Sequence, residues 1–89
     1  GAVSEKVAGE MAEGIRRVTG ADLGIATTGI AGPGGSTQDK PVGLVYLALA
    51  YPQGIQVEKH LFAGNRESVR NMTVETALNM LRLYLLKFN

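Results

Sequence analysis

The sequence predicts an α/β fold: a sheet that includes a β-hairpin, with helices packed on it, in the order α-β-β-β-α. Three observations carry this reading. Apolar residues recur at helical spacing near both ends of the chain. The middle holds three short apolar segments of strand length, bounded by glycine and proline. The last two of these are joined by "YPQG", a turn signal built on Pro52 and Gly54.

The first helix is predicted over residues 4–19. Ser4 is a good N-cap, Glu5 places negative charge in the first turn, and Gly20 is a natural C-cap. Val7, Ala8, Met11, Ala12, Ile15 and Val18 recur at helical spacing and are read as one buried face. Gly9 and Gly14 lie inside this helix, at a cost of about 1 kcal/mol each against alanine. Close approach by another element and plain tolerance both account for them. "ADLGIATTGI" then reads as a buried strand over residues 22–28. "GLVYLALAY" is apolar at both alternating sets of positions, the pattern of a central strand covered on both faces. Beyond the turn, "IQVEKHLFA" alternates Ile55, Val57 and Leu61 with Gln56, Glu58 and His60, as a half-exposed hairpin partner does. Gly64 breaks this strand and Asn65 caps a second helix, which runs to about residue 86. Its apolar face is read as Val69, Met72, Thr76 or Ala77, Met80, Leu81 and Tyr84. If both helices took one face of the sheet, the other would be bare. The central strand therefore argues for more protein against this sheet.

A chain of 89 residues is one small domain or part of one. At this size it buries roughly 60–65% of its unfolded surface, a marginal core. Net charge is +1 with lysines and arginines scattered, so the basic stripe of a nucleic-acid binder is missing. The lack of cysteine excludes disulfides and thiolate metal sites. The longest apolar run, Leu44–Tyr51, is far short of the roughly 20 residues that cross a bilayer as a helix. With no signal peptide visible, a cytoplasmic location away from membranes is expected. The chain begins at Gly1 rather than methionine, and is read as a processed product, a designed piece or part of something longer.

Between the first two strands runs "TTGIAGPGGSTQDKPVG", with glycines at 29, 32, 34, 35 and 43 and prolines at 33 and 41. Gly29, Gly34 and Ser36 fit the phosphate-loop spacing, but Gly35 stands where its lysine belongs, and the segment leads into a strand rather than a helix. A dinucleotide-binding G-x-G-x-x-G fails because Thr37 replaces the last glycine. Two readings stay open. Successive glycines can turn backbone N–H groups inward as an anion or oxyanion nest, beside Thr27 and Thr28 at a strand end. The other reading is a long connection that needs positive φ at several points.

Other candidates are few. His60 is the single histidine, and no partner for it is evident, so it reads as a solvated surface residue. Asp39 and Lys40 are solvated charges by default, although Lys40 before Pro41 is able to face a site. Arg66 starts a helix, where a cation opposes the dipole; it is either solvated or kept to grip an anion. No Ser-His-Asp set, paired carboxylates or H-x-x-x-H spacing is present, so no catalytic residue and no metal ligand is assigned.

"GAVSEKVAGEMAEGIRR", "TTGIAGPGGSTQDKPVG" and "FAGNRESVR", in this order and spacing, resemble the C-terminal domain family of the competence/damage-inducible protein CinA, the nicotinamide-mononucleotide deamidases. The resemblance covers nearly the whole chain. It implies hydrolysis of the carboxamide of nicotinamide mononucleotide to nicotinate mononucleotide and ammonia, without metal or dissociable cofactor. The family's nucleophile is a serine in a Glu-Ser-Cys-Thr-Gly-Gly stretch, with a lysine and a tyrosine downstream; this sequence contains none of that set. Residues 1–89 are thus expected to be the C-terminal half of a three-layer α/β/α domain. The partners expected are nicotinamide mononucleotide, the N-terminal half of the domain and further copies in a homo-oligomer. The glycine stretch is expected to wall the pocket. The substrate-binding residues are expected to be Thr28, Gly29, Ile30, Ala31, Gly32, Gly34, Gly35, Lys40 and Arg66. Members often carry Asp where this chain has Asn65, which caps a helix equally well. The isolated chain is expected to be inactive. The alternative is a non-catalytic nucleotide-binding or dimerisation module.

Overall fold

The computed structural model describes residues 4–29 and 43–88. Its elements are α1 (Glu5–Thr19), β1 (Gly24–Gly29), β2 (Leu44–Tyr51), β3 (Gly54–Leu61) and α2 (Arg66–Phe88), in the predicted order. The strands form an antiparallel meander with β2 in the centre. Ala26 pairs with Ala48 on one side of β2, and Ala48 with Val57 on the other.

Alternation along β2 sorts the core into two halves. Ala48 and Ala50 join Ala26, Ala8 and Ala12 beneath α1. Val45, Leu47 and Leu49 join Val69 and Met80 beneath α2. The helices therefore lie on opposite faces, giving three layers, and neither face of β2 is bare. Leu47, Ala48, Leu49 and Ala50 have no exposed surface at all, as a central strand requires.

α1 is capped as its sequence dictates. Val7 N–H donates to Ser4 Oγ at 3.1 Å, and Gly20 closes the C-terminus in the left-handed region at φ 70°. The contact with the sheet is made by small residues, so helix and strand come very close. At Gly24 an added Cβ would overlap the Ala12 carbonyl oxygen and lie 3.1 Å from Arg16 N. This closeness corrects the predicted buried face. Ala8 and Ala12 are buried, but Met11, Ile15 and Val18 are 43%, 45% and 88% exposed, because they flank the narrow contact line. Gly9 meets Ile55 and Val57 only at ordinary distance and Gly14 faces open space, so neither is required by crowding. Along α1 the Glu13 carboxylate accepts from Arg16 Nε and Nη2, both at 3.2 Å. The Arg16 guanidinium holds the Glu13 carboxyl below its ordinary range.

β3 corrects a second expectation. Ile55 and Leu61 are 45% and 65% exposed, and only Val57 of the three apolar positions is half-buried. α1 lies over β1 and β2, so the sheet edge at β3 is thinly covered. α2 follows its predicted face more closely. Val69 and Met80 are buried, Ala77, Leu81 and Tyr84 pack beside them, and the Tyr84 ring meets Tyr51 with centroids 5.3 Å apart. The other side of α2 leaves Val74, Leu78, Leu83, Leu85 and Leu86 exposed. No helix among the described residues is long and apolar enough to cross a membrane.

The alanine layer is testable. Ala48→Leu should lower stability by about 1–3 kcal/mol by overpacking the α1 contact. Leu47→Ala, one residue away, should cost about 2–5 kcal/mol through a cavity under α2. Urea unfolding measures both; an Ala48→Leu variant as stable as the parent would refute close packing on the α1 face.

Candidate functional site

The antiparallel register gathers four chain segments at one end of the sheet. Gly29, at the end of β1, pairs with Val45 near the start of β2, which pairs with His60 near the end of β3. α2 begins four residues after β3, at the same end. Ile30, Ala31, Gly32, Gly34, Gly35 and Lys40 connect these strands and lie outside the described residues. The return into β2 is set by Gly43, whose φ of 91° favours glycine. A Cβ there would run into the Phe62 carbonyl, and Phe62 N–H donates to Gly43 O at 2.9 Å.

A cavity of about 290 Å³ opens beside this junction. Val45 and Val69 form its apolar floor, Thr27, Thr28 and Gly29 of β1 one wall, and Arg70, Thr73 and Val74 of α2 the other. Thr28 and Gly29 were expected in a site, and both line this cavity. Alternation qualifies the role of Thr28, however. It pairs with Tyr46 and turns its side chain toward the α1 face, whereas Thr27, opposite Leu47, faces the cavity side. The hydroxyl on that side is therefore the one on Thr27. Across the cavity Thr73 Oγ1 donates to the Val69 carbonyl at 2.7 Å, which leaves its lone pairs as acceptors. Gly29 has a packing reason of its own: a Cβ would sit 2.8 Å from Leu44 O.

Arg66 is the first residue of α2, as expected, and is exposed. It lines an adjoining groove of about 390 Å³ with Glu67, Arg70, Asn71 and Val74. Arg70 and Val74 are common to both spaces. Sequence reasoning picked out Arg66 and missed Arg70, although the spacing of four on a helix and the buried Val69 beside it are both visible in the chain. Among the described residues the ion pairs are Glu13 with Arg16 and Arg17, and Glu58 with His60. Neither Arg66 nor Arg70 is in one.

The start of α2 is held by Asn65. Its Oδ1 accepts from Ser68 N–H at 2.9 Å and its carbonyl from Val69 N–H at 3.0 Å. His60 also differs from its reading as a lone solvated residue. Its Nε2 lies 2.9 Å from Glu58 Oε1, its ring stacks on Phe62, and Gln56 Nε2 donates to the other oxygen of Glu58 at 3.1 Å. The signal was the spacing of two along one strand face. This row runs along β3, across β2 from Thr27, so it takes no part in the cavity. Among the described residues no cluster of three or more His, Cys, Asp or Glu is placed to hold a metal.

Comparison with known proteins agrees with the motifs. The profile of the CinA C-terminal domain matches residues 1–85. The chain belongs to the CinA C-terminal domain family. It is 56% identical over 86 residues to a CinA-like protein of Geobacter sulfurreducens, covering 97% of this chain and 21% of the relative. A CinA-like protein of Syntrophomonas wolfei is 54% identical over 85 residues, covering 96% of this chain and 20% of the relative. Among solved structures, the competence damage-inducible protein A of Klebsiella pneumoniae superposes with TM-score 0.91 at 36% identity, over 99% of this chain and 55% of that one. A competence/damage-inducible protein of Agrobacterium tumefaciens gives 0.89 at 42% identity, over 93% and 52%. The chain thus spans about a fifth of the curated relatives and about half of the solved CinA chains.

Asn65 performs the cap of α2. Asn65→Ala should cost about 1 kcal/mol and loosen the turn that carries Arg66, whereas Asn65→Asp should be nearly neutral. Thermal melts of the two variants check this; equal losses would mean that the cap does not hold α2.

Proposed function

We propose that this CinA chain supplies one wall of the pocket of a nicotinamide-nucleotide amidase, which converts nicotinamide mononucleotide to nicotinate mononucleotide and ammonia. Family membership supports the reading at the level of analogy. The observation that carries it is the pair of adjoining cavities at the base of the glycine stretch. One is floored by valine and the other flanked by two arginines that form no ion pair among the described residues. That is a fit for a ligand with a flat ring at one end and an anion at the other.

In this reading the chain binds and orients. Val45, Val69 and Val74 give the flat pyridinium ring van der Waals contact. The Thr27 hydroxyl and backbone donors of the glycine stretch meet the carboxamide oxygen, where negative charge develops as the nucleophile adds to the carbonyl carbon. Arg66 grips the phosphate. The serine that attacks the carboxamide carbon belongs, by the family resemblance, to the other half of the domain. The amide nitrogen takes up a proton and leaves as ammonia when the serine ester forms, and water then cleaves that ester to release the acid. Residues 1–89 would be the C-terminal half of that domain.

The full-length protein should therefore release one ammonia per nicotinate mononucleotide formed, and the 89-residue chain alone should release none, since the Glu-Ser-Cys-Thr-Gly-Gly stretch that bears the family's nucleophile is not in its sequence. Steady ammonia production from the pure chain would refute the division of labour; no turnover by the full-length protein would refute the amidase. Arg66→Ala in the full-length enzyme should raise KM roughly ten- to a hundred-fold, the scale of one lost charge-assisted pair. Steady-state kinetics on nicotinamide riboside, which has no phosphate, should show no such rise.

A further inference from the structure

We propose that Arg66 and Arg70 form a two-pronged seat for a phosphate monoester dianion, with Arg70 deciding which end of the ligand enters the valine-floored cavity. The proposal rests on the nucleotide reading of this site and adds a residue that neither motif nor resemblance pointed to.

Arg66 and Arg70 stand four residues apart on α2, so their side chains leave the same side of the helix about 5–6 Å apart at Cβ. Like charges at this spacing repel. Arg66 is also at the positive end of the helix dipole, where a cation is disfavoured. The acid of this first turn, Glu67, lies within ion-pair distance of neither guanidinium. Two mutually repelling, poorly placed cations with no carboxylate within 4 Å among the described residues are what a bound anion would neutralise.

The cavities say where that anion sits. Arg70 is a wall of both, with Arg66 and Asn71 on one side and Val69 and Val45 on the other. An anion held between the arginines in the wider groove directs the rest of the ligand past Arg70, over Val74, toward the valine floor. The reversed pose would bring a cationic pyridinium ring against two guanidinia and a phosphate against valine. Each arginine offers a planar fork of N–H donors, and two forks match the oxygens of a doubly charged phosphate. The dianion, present above the second phosphate pKa of about 6, is therefore the preferred form.

The test uses the full-length protein and calorimetric titration with three probes: nicotinamide mononucleotide, nicotinamide riboside and ribose 5-phosphate. Arg70→Gln should weaken both phosphates at least about ten-fold and leave the riboside unchanged, while Arg70→Lys, a point charge without the fork, should lie in between. Arg82→Gln, three turns further along α2, should match the parent. Parent affinity for ribose 5-phosphate should fall as pH drops from 7.5 to 5, as the dianion is lost, and Arg70→Gln should flatten that slope. The seat is wrong if Arg70→Gln changes nothing, weakens the riboside as much as the nucleotide, or keeps the full pH slope. It is equally wrong if the parent binds neither phosphate probe. Ribose 5-phosphate carries no amide, which separates the two readings. Arg70-dependent binding of it without turnover of the mononucleotide keeps the seat and removes the amidase. Turnover with unchanged Arg70→Gln affinity does the reverse.

Discussion

β2 has to be buried on both faces while meeting two helices at different distances, and the rest of the structure follows from how it does so. Its even positions, Ala48 and Ala50, are small and let α1 approach until Gly24 touches the Ala12 carbonyl. Its odd positions, Val45, Leu47 and Leu49, are large and hold α2 off on a cushion with Val69 and Met80. A register slip of one residue would present leucines to a helix that has no room for them and alanines to one that would be left over a void. The same alternation therefore fixes the pairing of all three strands and assigns each helix its face.

That assignment positions the candidate site. Because the sheet is an antiparallel meander, the end of β1, the start of β2 and the end of β3 fall together, and α2 starts beside them. Burial of Val69 against Val45 and Leu47 sets the rotation of α2 about its axis. With that rotation set, Arg70 and Thr73 are turned toward β1 and line a space with Thr27 and Gly29. Core packing on one side of a helix thus determines which polar groups meet on its flank, with the Asn65 cap holding the first turn in place.

Much of this was legible in the chain. Element order, the Ser4, Gly20 and Asn65 caps, the "YPQG" hairpin and the buried centre of β2 depend on residues within a few positions of one another, and all appear as read. The face of α1 was legible only in part. Period identifies a stripe, but not how wide a contact the sheet makes. Ala8 and Ala12 were enough to fill it, and Met11, Ile15 and Val18 stayed outside. On β3 alternation was read correctly, yet burial depends on where α1 ends sideways, which no local pattern contains. Of the residues read as substrate-binding, Thr28 and Gly29 line one cavity and Arg66 the adjoining groove, while Thr27 and Arg70, which also line these spaces, were not among them.

By itself, then, the sequence determined the local structure and the family. Caps, turns, strand alternation and the glycine stretch are short-range properties, written in adjacent residues and readable without knowing what they pack against. Tertiary structure alone decided that the two helices take opposite faces and that Arg70 bridges two cavities. The helix faces and the Arg70 bridge turn on side-chain volumes brought together from distant parts of the chain: alanines that admit one helix closely, and valines and leucines that set the height and rotation of the other.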